Sequence, residues 1–73
     1  MGTQGNVQFW NDEEGWGVID SNETPGGCWA HYSIISMPGY RTLSAGQAVD
    51  FDWEQGEQDG YSYSASEVRP TTT

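Results

Sequence analysis

Short runs of apolar residues at alternate positions, cut by Gly, Pro, Asn and Asp, make up most of this chain. A period of two marks half-buried strands, and no segment holds a 3.6-residue period long enough for an amphipathic helix. Val7 to Asn11 form a first strand, stopped by the polar turn Asp12-Glu13-Glu14-Gly15. Strict alternation puts Val7 and Phe9 on one face and Gln8 and Trp10 on the other. One of Phe9 and Trp10 turns inward, and the pattern leaves open which. Met1 to Gly5 carries no apolar pattern and reads as a loose lead-in.

Two further runs, Glu14 to Ile19 and Cys28 to Tyr32, flank a turn-rich stretch from Asp20 to Gly27 and predict adjacent antiparallel strands. Trp16 and Val18 share one face of the first run, opposite Gly17 and Ile19. Trp29 and His31 share one face of the second, opposite Cys28 and Ala30. The small and aliphatic set suits an interior, which leaves Trp16, Val18, Trp29 and His31 outside. An exposed row of rings calls for a functional reason.

Ser33 to Ser36 suits one helical turn, ended by Met37-Pro38-Gly39, and Tyr40 to Leu43 cross to the next strand. Gln47 to Glu54 alternates most cleanly: Val49, Phe51 and Trp53 face a core, while Ala48, Asp50, Asp52 and Glu54 face water. Gln55 to Gly60 reads as a polar loop. Tyr61 to Val68 forms a last strand, in which Tyr61, Tyr63 and Ala65 share a parity that Val68 breaks, so a bulge is expected. The tyrosines there are assigned to packing, and Arg69-Pro70 and the terminal threonines are expected to fray. A meander of three strands, a crossover through residues 33–46 and a hairpin of two is the order of an all-β, five-stranded antiparallel Greek-key barrel of the OB type.

Composition narrows the picture. With 73 residues, residues 1–73 are read as one small domain with its ordered part at about 5–69. Nothing approaches the roughly 18 apolar residues of a membrane span, nor is there a basic start with an apolar run, so the expected location is the cytoplasm, away from membranes. Cys28 stands alone, which excludes an internal disulfide, and it reads as a buried thiol. Eleven acidic residues face only Arg41 and Arg69, for a formal charge of -9. Such acidity keeps a small protein dispersed and monomeric. It also suits docking to a basic protein partner. Nucleic-acid binding usually draws on basic residues, which are nearly absent. His31 lies two residues from Ser33, but no nucleophile elbow accompanies them, so no catalysis is expected. Asp50, Asp52 and Glu54 lack the spacing of a calcium loop, and neither a metal nor a cofactor is expected.

Six segments in order resemble the bacterial cold-shock proteins, over about Gly5 to Arg69. The family's Gly-x-Val-Lys-Trp-Phe-Asn is matched by Gly5 to Asn11, its Lys-Gly-Phe-Gly-Phe-Ile by Glu14 to Ile19, and its Val-Phe-Val-His-Phe by Cys28 to Tyr32. Ser33-Ile34-Ile35, Gly39 to Leu43 and Gly46 to Phe51 are similar to later family segments. The resemblance implies a five-stranded antiparallel barrel that binds single-stranded RNA or DNA across strands two and three. The stacking residues it implies are Phe9, Trp10, Trp16, Trp29, His31, Tyr32 and Tyr40, with Val18 in place of a phenylalanine. Gln8, Asn11 and His31 are implied as hydrogen-bonding groups. Phe9-Trp10 reverses the family order, Gln8 and Glu14 replace lysines, and the loop around Glu57, Gln58 and Asp59 is acidic and slightly longer. Weaker binding with a shallower salt dependence is therefore expected.

Overall fold

The computed structural model describes residues 2–36 and 42–70, so the expected turn at Met37-Pro38-Gly39, with Tyr40 and Arg41, lies outside the described residues. Five strands, β1 (Thr3–Asn11), β2 (Trp16–Ser21), β3 (Thr24–His31), β4 (Ala48–Gln58) and β5 (Tyr61–Pro70), close into a barrel in the order β1-β2-β3-β5-β4. β1 and β2, β2 and β3, β4 and β5, and β1 and β4 pair antiparallel. The barrel is shut by a short parallel seam between β3 and β5, with Cys28 opposite Tyr63 and Trp29 opposite Ser64. That seam departs from a fully antiparallel barrel. The crossover after β3 returns the chain so that β5 runs beside β3 in the same direction.

The inward positions follow the predicted parity. Val7, Ile19, Cys28, Ala30, Val49 and Phe51 form the core with Ala65 and Val68, and burial pushes the Cys28 thiol up to about 12. Trp53 is only partly buried: its ring meets Tyr63 edge-on at 5.1 Å and its indole N–H donates to Thr3 Oγ1 at 3.2 Å. The Thr3 hydroxyl donates in turn to Glu23 Oε1 at 3.1 Å.

This polar chain helps explain why the expected loose lead-in is strand instead. Thr3 to Asn6 pair with Phe51 to Ala48, so the start of β1 covers the edge of β4. The far end behaves likewise: Arg69 and Pro70, expected to fray, pair with Asp50 and Val49. Arg69 also reaches Asp52 at 3.4 Å and Glu67 at 2.8 Å. The polar stretch 55–60, expected as a loop, extends the β4–β5 hairpin to Gln58 opposite Tyr61. Asp59 (φ 51°) and Gly60 (φ 88°) make the two-residue turn, both in the left-handed region that such tight hairpins require. The single helical turn is a 3-10 turn at Tyr32–Ile34, one residue earlier than expected.

Bulges settle the remaining parities. In β5, Glu67 pairs with Asp52 and Ala65 with Trp53, which leaves Ser66 as the extra residue and brings Val68 inward, as its broken parity predicted. In β1, Val7 pairs with Ile19 but Phe9 with Val18, so Gln8 is extra. That slip turns Phe9 outward and lays Trp10 against the core.

Candidate nucleic-acid interface

The outer face of β1, β2 and β3 carries the rings. Trp16 pairs with His31 and Val18 with Trp29 across β2 and β3, while Phe9 joins from β1 beside Val18. The rings make a continuous row. Phe9 meets Trp16 edge-on at 5.4 Å; Trp16 lies 6.5 Å from Trp29 with 23° between their planes; Trp29 lies 6.0 Å from His31 at 20°. His31 then meets Tyr32, in the 3-10 turn, at 4.5 Å. Phe9 is 36 % and Tyr32 46 % exposed, high values for large apolar rings, and the three between them are half-buried. Sheet pleating and cross-strand neighbours hold five aromatic faces in one band.

Val18 corrects one expectation. It has the outward parity, yet it is 0 % exposed. Its short side chain sits between Phe9 and Trp29 in register, and Gly27 closes over it: a methyl group at Gly27 would stand 2.7 Å from Val18 Cγ1. Val18 is thus the floor beneath the rings rather than part of their surface. Trp10 likewise departs from the row, packing against the core with its indole nitrogen buried and unpartnered among the described residues. Tyr40 lies outside the described residues.

Hydrogen bonds orient the edges of the band. Ser33 N–H donates to His31 Nδ1 at 3.2 Å, and the Ser33 hydroxyl lies 2.9 Å from the same nitrogen. A backbone N–H only donates, so Nδ1 accepts and the neutral ring carries its proton on Nε2. Asn11, implied as a contact to nucleic acid, spends its side-chain oxygen on the β1–β2 turn, accepting from Glu14 N–H at 3.1 Å. Gln8 is exposed at the bulge.

One member of the band escaped the reading of the residue pattern. Trp16 Nε1–H donates to Glu14 Oε1 at 2.8 Å, which puts a carboxylate against the ring row. The acid-rich turn before Trp16 was the available signal, but spacing alone does not tell a solvated carboxylate from one bonded to a ring.

The charge around the band is negative. Asp12, Glu13 and Glu14 occupy the β1–β2 turn, and Asp12 accepts from the Thr42 hydroxyl. Among the described residues Arg69 is the one Lys or Arg, and it belongs to β4–β5. Its hydrogen bond holds the Asp52 carboxyl below the usual carboxylate range, while Asp52 raises Arg69.

A barrel with this strand order and ring-bearing face agrees with the sequence motifs, and a family model for the 'Cold-shock' DNA-binding domain matches residues 3–71. The chain belongs to that family. Cold-shock domains are nucleic-acid-binding proteins that take single strands. This one is 46 % identical over 66 residues to the Cold shock-like protein CspD of Vibrio cholerae, covering 90 % of this chain and 83 % of the relative. It is 43 % identical over 58 residues to the protein of the same name in Escherichia coli K12, covering 80 % and 78 %. The Cold shock protein ScoF of Streptomyces coelicolor matches at 44 % over 54 residues, covering 74 % and 81 %. No helix among the described residues of this cold-shock domain is long and apolar enough to cross a membrane.

Proposed function

We propose that this cold-shock domain binds single-stranded RNA or DNA by stacking unpaired bases on Phe9, Trp16, Trp29, His31 and Tyr32, and so acts as an RNA chaperone or cold-shock-type regulator. The observation that carries the reading is the unbroken ring row from Phe9 to Tyr32 on one barrel face. Every base has a π-face, so such a row accepts single strands with little demand on sequence, at about 1–3 kcal/mol per stacked base. A protein that holds only the unpaired state shifts a folded RNA toward it by mass action, with no nucleotide hydrolysis. His31 Nε2–H supplies a donor for a base edge or backbone oxygen, the exposed Gln8 adds an amide, and Tyr40, matched to a family stacking position by the sequence resemblance alone, is proposed as a further stacking residue. The protein acts as a monomer in the cytoplasm. Titration with oligothymidylate at low salt tests this: saturable quenching of tryptophan fluorescence is expected, and no quenching up to high micromolar ligand overturns it.

A second reading is favoured by the charge: with a net -9 and Arg69 already paired, the surface also suits a basic protein partner. Recovery of one basic protein whose affinity ignores Trp29→Ala supports that docking role. Competition by oligonucleotide, with loss of the partner on Trp29→Ala, favours the ring face.

A further inference from the structure

We infer that Glu14 is a positioning and specificity-determining residue of the ring face: its carboxylate holds the Trp16 indole in the row, while its charge favours bases over phosphates. The inference rests on the single-strand reading above. Trp16 is the joint of the row, edge-on to Phe9 and nearly parallel to Trp29. An indole N–H only donates, and here it donates to Glu14 Oε1 at 2.8 Å, the length of a charge-assisted bond. By contrast, the indole nitrogens of Trp10 and Trp29 have no hydrogen-bond partner among the described residues.

The carboxylate stands on a braced turn. Glu14 N–H donates to Asn11 Oδ1 at 3.1 Å, Gly15 N–H to Asn11 O at 2.8 Å, and Tyr32 N–H to Gly15 O at 2.8 Å. Gly15 (φ 76°) lies against the Tyr32 ring, where an added methyl would be 2.7 Å from Cδ1. The turn is therefore fixed to β1 on one side and to the far end of the ring row on the other. Rotating the Trp16 ring would break its bond to Glu14.

The same group also sets a charge. Asp12 and Glu13 are its neighbours, and Arg69 is engaged by Asp52 and Glu67. A phosphate laid along Trp16 meets a like charge, whereas the face of a neutral base meets none. The ligand class that fits is a single strand with its bases on the rings and its phosphates turned from the β1–β2 turn.

Two variants separate the roles. Glu14→Gln keeps an acceptor oxygen and removes the charge; Glu14→Ala removes both. Trp16→Phe identifies the Trp16 indole proton among four tryptophans. In the wild type and Glu14→Gln this proton should exchange slowly with water, and in Glu14→Ala fast. At low salt Glu14→Gln should bind oligothymidylate about two- to sixfold more tightly than the wild type, the range for one unit charge some 8 Å from a phosphate at effective dielectric constants of about 80 to 40. High salt should erase that difference by screening, while Glu14→Ala should stay about fivefold weaker than Glu14→Gln, the factor for one net hydrogen bond of about 1 kcal/mol. Equal binding by wild type and Glu14→Gln at low salt overturns the charge role. Equal binding by both variants at high salt, with unchanged Trp16 exchange, overturns the positioning role. No binding by any form overturns the single-strand reading instead, and the exchange measurement still decides whether Glu14 holds the ring.

Discussion

Trp29→Ala removes the central ring of the row. Its neighbours Trp16 and His31 lie 6.5 Å and 6.0 Å away, so the change leaves two separated pairs, Phe9 with Trp16 and His31 with Tyr32. One stacked base should be lost, about 1–3 kcal/mol or about 5- to 150-fold in affinity for oligothymidylate. The fold should survive, because the flanking Cys28 and Ala30 carry the core-facing contacts of this part of β3. One cross-strand ring contact, to Trp16, and one along β3, to His31, disappear, at about 0.2–1 kcal/mol each, and Val18 gains exposure. A stability loss of about 1–2 kcal/mol is therefore expected. Anisotropy of a labelled oligonucleotide reads affinity without relying on the deleted fluorophore, and the urea midpoint reads stability. Affinity within twofold of a wild type that does bind, with the fold intact, would refute the stacking argument.

Three further outcomes are expected. Gly17→Ala should destabilise the barrel by about 1–3 kcal/mol in urea denaturation, since a methyl there overlaps the Phe9 carbonyl and the Trp10 ring with no flexible chain end to yield. Cys28, buried and pushed up to about 12, should resist a thiol reagent at neutral pH in the native state and react at once in denaturant. Asp52 is held below its ordinary range by Arg69, so its contribution is present above the unfolded carboxyl's pKa and lost as pH falls through the lowered folded value; Asp52→Asn should flatten the acid limb of a plot of Tm against pH.

Period-two alternation carried most of the fold. It placed Val49 and Phe51 inside, set Trp16, Trp29 and His31 on one face opposite Ile19, Cys28 and Ala30, and flagged the β5 bulge through the displaced parity of Val68. The β1 bulge was not legible, because an extra residue at Gln8 is defined only against the register of β2, and that slip alone decides that Phe9 faces out and Trp10 in. Val18 shows the limit of parity as a guide to exposure: direction followed from alternation, but burial came from taller rings on neighbouring strands and from the close approach of Gly27. Thr3 and Arg69 looked like chain ends because their partners are far away in sequence. Asp59-Gly60 did carry a local hairpin signal. Its flanks are polar, so the hydrophobic pattern gave it no strands to join.

The central claim is that stacking, rather than phosphate neutralisation, holds the single strand, and the affinity for oligothymidylate as a function of salt tests it most directly. With carboxylates at the edge of the row and Arg69 already paired, the logarithm of the binding constant should change little, or rise, as the logarithm of salt concentration increases. A steep fall, at about -0.7 for each of several neutralised phosphates, would contradict the account.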